Sequence, residues 1–170
     1  VYSIGFGNSH IAVDTGEQLT LEQCLYAIML QSANEVSTGV GEYIAGEMDE
    51  FAVLMNKRAQ ELGCIGTNFT NATGLHNDNH YTTARDMSII AKELLKFDFF
   101  IELIGTSLYV IPTTNIQPET RYLYNQNQLL KERSIFYYEK ALGGKTGFTN
   151  EAGNTLVSYA KDGDTTLISV

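Results

Sequence analysis

Apolar and polar residues alternate with the period of a helix through most of the first 105 positions. Thr20 opens a Thr-Leu-Glu-Gln capping box ahead of the first periodic stretch. Asp49 is predicted to cap a later helix, and Gly63 is predicted to end it. An ordered loop is expected over 66 to 81. The pattern predicts helices over about 21 to 31, 36 to 44, 49 to 62, 83 to 95 and 99 to 104.

After Gly105 the pattern changes, and β-branched and aromatic residues gather between turn residues. Asp162-Gly163 suits a tight hairpin, because such turns need positive φ angles that glycine adopts without strain. The second part of the chain is therefore expected to be partly sheet. Strands are predicted over about 108 to 112, 122 to 124, 135 to 138, 143 to 149, 155 to 160 and 165 to 170.

Composition indicates a chain that folds and that does not bind nucleic acid. Of its 170 residues 44% are hydrophobic and 18% are charged, which suits one compact domain or one piece of a larger domain. The net charge is −9, and residues 1 to 56 hold eight acidic side chains and no Lys or Arg. Such a chain repels polyphosphate, so nucleic acid is excluded as a partner. No apolar run approaches the length of a membrane span, so we expect any anchor to lie outside this chain.

Two triplets contain side chains that could take part in chemistry. Ser-Ala-Asn at 32 to 34 lies where one predicted helix ends and the next begins. Lys-Thr-Gly at 145 to 147 lies on a predicted strand behind two glycines, which would let another chain come close. The first triplet arises easily by chance in this composition, whereas the second is rare. Taken alone, Ser32 could be a helix C-terminal cap, Asn34 an N-cap and Lys145 a solvated lysine.

The order and surroundings of these triplets resemble the serine D-alanyl-D-alanine carboxypeptidases among the low-molecular-mass penicillin-binding proteins. That family carries Ser-x-x-Lys, Ser-x-Asn and Lys-Thr-Gly in this order. The segments LTLEQCLYAIMLQSANEVS, TNFTNATGL and GGKTGFTNEAGNTLVSYAKDG are similar to the family's helix, loop and strand around the motifs. The resemblance implies an α+β fold of the DD-peptidase and β-lactamase type. A helical region over about 20 to 105 would pack on an antiparallel sheet over about 106 to 170, as one partial domain.

One motif of that family, Ser-x-x-Lys, is absent from the place where the family has it. In the family the nucleophilic serine and its lysine precede Ser-x-Asn by several tens of residues, and residues 1 to 31 contain no Lys or Arg. A Ser-x-x-Lys does occur downstream, at Ser158-Tyr-Ala-Lys161, but it lies on a predicted strand. Positions three apart on a strand face opposite ways, so Ser158 is a poor candidate for the nucleophile. We expect a fragment that lacks the nucleophile helix and the first strands. Residues 1 to 170 alone are expected to be inactive, and poorly stable or dimeric, because the loss of those elements exposes apolar surface.

The resemblance implies roles for three catalytic residues. The serine missing from this chain would attack the carbonyl between two D-alanines, release the last one and leave an acyl-enzyme that water hydrolyses. Ser32 would relay a proton to the leaving nitrogen, and Asn34 would hydrogen-bond the substrate amide. Lys145 would supply a cation close to both serines and to the substrate carboxylate.

The resemblance also implies how substrate binds. Thr146 would donate a hydrogen bond to the substrate carboxylate, and the backbone N–H of Phe148 would be an oxyanion donor. Gly147 would keep the approach clear for a peptide that adds to the strand. The implied partners are peptidoglycan stem peptides ending in D-Ala-D-Ala and β-lactam antibiotics. The implied location is the cell-wall side of the bacterial cytoplasmic membrane.

Two other functions compete with this one. Class A β-lactamases have Ser-Asp-Asn as the middle motif and add a deacylating glutamate. Here Ala33 stands in the middle, and no matching glutamate segment stands out between 78 and 145, although Glu119 is available. A non-catalytic peptidoglycan-binding module would hold a D-alanine terminus with Lys145 and Thr146 but would be unable to cut it.

A metal site is the remaining chemical possibility. His76, Asp78 and His80 lie close together in the predicted loop. Their spacing is not diagnostic of a metal, and no His-Glu-x-x-His helix supports one. The sequence therefore predicts neither a metal nor another cofactor.

Overall fold

Helices occupy the first part of the chain and strands the second. The computed structural model describes residues 8–170. The helices are α1 (Leu21–Gln31), α2 (Asn34–Ala45), α3 (Met48–Glu61), α4 (Ala84–Leu94) and α5 (Asp98–Gly105). The strands are β1 (Leu108–Ile111), β2 (Arg121–Tyr124), β3 (Ala141–Thr149), β4 (Gly153–Asp162) and β5 (Thr165–Ser169), with a 3-10 turn at Gln128–Leu130. Helices followed by antiparallel strands confirm the predicted α+β class.

α1 crosses the larger of two hydrophobic clusters. Its predicted capping box is present, because the Thr20 hydroxyl accepts a hydrogen bond from the Gln23 N–H and the Gln23 side chain accepts one from the Thr20 N–H. Leu30 is fully buried, and Tyr26 stacks on Tyr109 of β1 with ring centroids 3.7 Å apart. Contacts with α2, α5 and the β1–β2 sheet fix the position of α1. No helix within residues 8–170 is long and apolar enough to cross a membrane.

The strands form two separate antiparallel sheets. β1 pairs with β2, while β3, β4 and β5 form a second sheet in that order. Among the described strands, β3 therefore lies at an edge. Tyr159 of β4 joins this sheet to the helices, since its ring packs against Phe100 and its hydroxyl donates to the Ala91 carbonyl at 3.2 Å. The edge strand is thus held at a fixed place beside the helical region.

The hairpin between β4 and β5 lies at the predicted place, although Asp162 ends β4 and is not one of the two central turn residues. Asp162 pairs with Thr165, which leaves Gly163 and Asp164 as a two-residue loop. Gly163 has a φ of 56°, the positive value at the first central position that glycine supplies in a tight hairpin.

Two local predictions are wrong. α3 begins at Met48 after Glu47, so Asp49 lies in the first turn and does not cap the helix. Residues 135 to 138 form no strand, although they are aromatic and β-branched. Their apolar side chains are largely exposed, so strand-forming composition had no sheet face to pack on.

Candidate active site

Ser32 lies at the junction of α1 and α2 in a left-handed conformation. Its φ and ψ are 55° and 37°, and its N–H donates to the Ile28 carbonyl at 3.0 Å, so its backbone does cap α1. Ala33 is fully buried and links the two helices, with its N–H donating to the Ala27 carbonyl at 3.3 Å. The backbone accounts for the sharp turn, and the Ser32 hydroxyl is left for other contacts.

Asn34 is the first residue of α2. Ala33 occupies the N-cap position, so the interpretation of Asn34 as an N-cap is wrong. The Asn34 N–H donates to the Ser9 carbonyl at 3.0 Å, and the Ile11 N–H donates to the Glu35 carboxylate at 2.8 Å. These two bonds fasten the chain before α1 to the start of α2. Asn34, which is half-buried, is therefore anchored through its backbone.

Lys145 approaches this junction from β3. Its Nζ donates to the Ser32 hydroxyl oxygen, across 113 positions of sequence, and to the Thr146 carbonyl at 2.7 Å. The side chain is half-buried, and burial lowers the pKa of Lys145 below its ordinary value. The alternative of a solvated strand lysine is therefore wrong. A desolvated ammonium beside a hydroxyl can share protons with it more readily than a lysine in water.

The two glycines before Lys145 serve this chain's own packing. Gly143 and Gly144 have φ angles of 135° and 157°. A Cβ on Gly143 would overlap the Ile104 carbonyl of α5, and a Cβ on Gly144 would overlap the Val157 carbonyl of β4. The neighbours that come close here are thus α5 at Gly143 and β4 at Gly144, and the glycines let β3 pack tightly against both.

The three predicted substrate-binding residues follow Lys145 along the edge strand. Thr146 is half-buried, Gly147 is exposed, and the Phe148 side chain is 66% exposed. A Cβ on Gly147 would lie 2.5 Å from the Thr155 hydroxyl, so a larger residue would displace that side chain. An edge strand with these residues at the surface can accept an added peptide strand.

Ser158 lies inside the sheet. It is 7% exposed, and its hydroxyl donates to the Gly143 carbonyl at 3.2 Å. Lys161 is exposed farther along β4, and its N–H donates to the Lys140 carbonyl at 2.9 Å. The Ser158 hydroxyl is therefore buried and engaged with β3, which is unfavourable for a nucleophile that must reach a substrate.

The histidines of the 66–81 loop are used within the loop. His80 Nδ1 accepts a hydrogen bond from the Thr70 N–H at 3.0 Å, and its ring packs against Phe69. His76 lies 3.3 Å from the exposed carboxylate of Asp78. In the described part of the chain no group of three or more His, Cys, Asp or Glu side chains could hold a metal ion.

Sequence reasoning missed one buried side chain near β3. Asn125 is 4% exposed, and its amide donates to the carbonyls of Ile104 and Thr106 at 3.1 Å and 3.0 Å. The available signal was a pair of asparagines, at 125 and 127, directly after an apolar strand. Asparagine in such a place commonly satisfies backbone groups, but the sequence does not say which ones.

Comparison with known proteins identifies the family. A family model described as D-alanyl-D-alanine carboxypeptidase matches residues 2–170. The chain is 38% identical to the D-alanyl-D-alanine carboxypeptidase DacF of Bacillus subtilis over 170 residues, covering 99% of this chain and 42% of that protein. It is 30% identical to DacA of Escherichia coli over 167 residues, covering 96% and 38%. The chain thus spans about two fifths of the length of these relatives.

Solved structures show the same fold. The crystal structure of a D-alanyl-D-alanine carboxypeptidase from Mycobacterium tuberculosis matches 94% of this chain and 58% of its own, with a TM-score of 0.82 and 28% identity. A Streptomyces DD-transpeptidase matches 95% of this chain and 63% of its own, with a TM-score of 0.84 and 28% identity. With both motifs in place and the family model matched almost end to end, this chain belongs to the D-alanyl-D-alanine carboxypeptidase family and has its DD-peptidase fold.

Proposed function

We propose that this chain forms two walls of the active site of a serine D-alanyl-D-alanine carboxypeptidase. The observation that carries the proposal is the contact between Lys145 Nζ and the Ser32 hydroxyl, which joins the two family motifs across the boundary of helices and sheet. The enzyme would remove the terminal D-alanine from peptidoglycan stem peptides. Its nucleophile is a serine outside this chain, so residues 1 to 170 alone are inactive in this proposal.

The reaction proceeds through an acyl-enzyme. The nucleophilic serine oxygen bonds to the carbonyl carbon between the two D-alanines, and the carbon–nitrogen bond breaks. The proton lost by that serine reaches the leaving nitrogen through the Ser32 hydroxyl, which Lys145 contacts. A water oxygen then bonds to the acyl carbon, the bond from that carbon to the serine oxygen breaks, and a proton from the water returns to the serine. The shortened peptide leaves with a free carboxylate.

Recognition of the peptide falls to β3 and the start of α2. The substrate lies along β3 as an added strand, because that edge is unpaired among the described strands. Thr146 donates to the terminal carboxylate, and the Phe148 N–H stabilises the oxyanion. Asn34 hydrogen-bonds the substrate amide, and Gly147 leaves room for the peptide backbone.

Charge supports an anionic substrate terminus at this place. The first 56 residues carry only acidic charges, so Lys145 brings a cation to a helical wall that has no Lys or Arg in that stretch. Burial keeps that cation poorly solvated, which strengthens its attraction to a carboxylate. A β-lactam, which presents a carboxylate beside a strained amide, would occupy the same site and acylate the same serine. The site would work on the cell-wall side of the cytoplasmic membrane.

The test is release of D-alanine from a peptide ending in D-Ala-D-Ala by the protein extended upstream to its native start. We expect release by the wild type. Thr146→Val should raise KM roughly tenfold, because it removes a hydrogen bond to a charged group. Thr166→Val, at an exposed threonine of β5, is the matched control and should leave both kcat and KM unchanged.

Two results would contradict the proposal. A protein that binds the peptide without releasing D-alanine would be a non-catalytic binding module. A protein that hydrolyses penicillin rapidly, with no long-lived adduct, would be a β-lactamase-like hydrolase.

A further inference from the structure

β3 contains a bulge at Leu142 and Gly143, just before Lys145. Ala141 pairs with Ala160, and Gly143 pairs with Tyr159, so Leu142 is an extra residue without a partner on β4. Such a bulge shifts the alternation of side chains between the two faces of a sheet.

This bulge decides which way Lys145 faces. Residues paired across strands share a face, so Lys145 lies on the face of its partner Val157 and Ala141 on the face of Ala160. Val157 and Ala160 are three apart on β4 and face opposite ways. In a regular strand Ala141 and Lys145, four apart, would share one face. The extra residue therefore turns Lys145 to the side of Tyr159, which is the side that packs on the helices.

Two buried polar side chains hold the bulge in place. The Ser158 hydroxyl donates to the Gly143 carbonyl at 3.2 Å. On the other side Gly143 lies so close to the Ile104 carbonyl that no Cβ would fit between them. That carbonyl is itself fixed, because the Asn125 amide donates to it at 3.1 Å and to the Thr106 carbonyl at 3.0 Å.

The Asn125 side chain has no freedom to move away from this arrangement. Its amide nitrogen serves two carbonyls at the end of α5, and its oxygen accepts the Asn127 N–H at 2.9 Å. The last carbonyls of a helix lack partners within the helix, so Asn125 provides the bond that fixes the end of α5 against Gly143. Asn125 is 4% exposed and Ser158 is 7% exposed, which keeps water from replacing these bonds.

We infer that Asn125 and Ser158 are positioning residues that fix the bulge at Gly143 and thereby direct Lys145 to Ser32. Neither side chain touches the reacting atoms. They act through the path of β3, and the kinetic part of this inference rests on the proposed function. Without them the bulge would no longer be fixed, and β3 could change its pairing register with β4 or shift along α5. The Lys145 ammonium would then lose its contact with the Ser32 hydroxyl.

The experiment uses the protein extended upstream to its native start, with two readouts. The first is the rate constant of acylation by a fluorescent penicillin, separated from its dissociation constant, over a range of pH. The second is the titration of Lys145, followed by NMR of protein labelled with 13C-lysine, with the signal assigned by Lys145→Arg. The second readout needs no catalysis, so it judges the inference even if the proposed function fails.

We expect Ser158→Ala to slow acylation roughly tenfold and Asn125→Ala roughly 100-fold, because small displacements of a catalytic group have effects of this size. In both variants the pKa of Lys145 should rise toward its ordinary value as the ammonium gains water, and the pH profile of acylation should move with it. Ser158→Thr keeps the hydroxyl and should restore both readouts.

Ser37→Ala is the matched control. Ser37 is also buried, and its hydroxyl donates to the Ala72 carbonyl at 2.7 Å, far from β3 in the chain. A general loss of stability should appear in this variant as well, without a change in the titration of Lys145. The inference would be overturned if Ser158→Ala and Asn125→Ala kept the wild-type rate constant of acylation and the wild-type pKa of Lys145. If the wild type is not acylated at all, the proposed function fails, and the titration of Lys145 alone then tests the positioning role of Asn125 and Ser158.

Discussion

The α1–α2 junction and the 66–81 loop both gather polar side chains, and they use them in opposite ways. The loop is held by Asn56 of α3, whose side-chain nitrogen donates to the Phe69 carbonyl at 2.8 Å and whose side-chain oxygen accepts the Phe69 N–H at 2.7 Å. At the junction Lys145 contacts Ser32, while the side chains of Asn34 and Thr146 make no hydrogen bond within residues 8–170. Polar groups that satisfy backbone hold a fold together, whereas polar groups with spare capacity can meet a ligand. The comparison predicts that changes at the junction affect acylation and that changes in the loop affect stability.

Lys145→Ala should have the largest effect. We expect acylation by penicillin to slow roughly 10³-fold, because the variant removes both a proton-transfer partner and a nearby cation. Stopped-flow measurements on the protein extended upstream would show this. Lys161→Ala, at an exposed lysine of the neighbouring strand, is the control and should react at the wild-type rate. Equal rates for the two variants would remove Lys145 from the site.

Ser32→Gly should separate function from stability at one residue. Acylation should slow roughly 100-fold, because the hydroxyl that Lys145 contacts is lost. Stability should rise by about 0.5 kcal/mol, because glycine adopts a φ of 55° without strain, although it also frees the unfolded chain. Ser32→Ala loses the hydroxyl but keeps the strained backbone, so it should melt at a lower temperature than Ser32→Gly. The reverse order of melting temperatures would contradict this account of the junction.

Asp86→Asn, in the first turn of α4, should show the opposite behaviour, because Asp86 bonds to the start of the 66–81 loop. Asp86 is buried, and its carboxylate accepts hydrogen bonds from the Gly66 N–H and the Thr67 hydroxyl, both at 2.7 Å. The Thr67 hydroxyl is the main cause that lowers the pKa of Asp86. The variant should lose about 2 kcal/mol of unfolding free energy, measured by urea denaturation, and acylate normally when folded. Asp78→Asn, at a fully exposed carboxylate, should match the wild type in both unfolding free energy and acylation.

The smallest expected effect is the response of the loop to pH. Burial lowers the pKa of His80 below its ordinary value of 6.5, and the ring accepts the Thr70 N–H only while Nδ1 is unprotonated. As the pH falls, His80 therefore binds a proton in the unfolded chain at a higher pH than in the folded chain. This contribution to stability is complete above pH 6.5 and is lost as the pH falls below it. Between pH 7.5 and 5.5 the wild type should lose up to about 1 kcal/mol more than His80→Gln, by urea denaturation. An equal loss in both proteins would contradict this assignment.

Local signals explain how much of the fold was predictable. The capping box at Thr20 and the glycine after α3 are bonded within a few residues, so α1 and the end of α3 lie where the sequence puts them. The 135–138 segment misled prediction because strand propensity reports a half-buried sheet surface, and these side chains face solvent.

The candidate site divides in the same way. Its motifs can be recognised in the sequence, but the contact between Ser32 and Lys145 joins residues 113 apart, and no local pattern contains it. The bulge at Gly143 is also a tertiary feature, since it depends on α5 and on Asn125. Its glycine was visible in the sequence, but the carbonyl that requires the glycine was not.

The most direct test of the central claim is intact mass after incubation with benzylpenicillin. It should be measured on residues 1 to 170 and on the same protein extended upstream to its native start, with the modified peptide mapped. We expect one penicilloyl adduct, on the longer form alone, at a serine that precedes Ser32. No adduct on either form, or an adduct at Ser158, would contradict it.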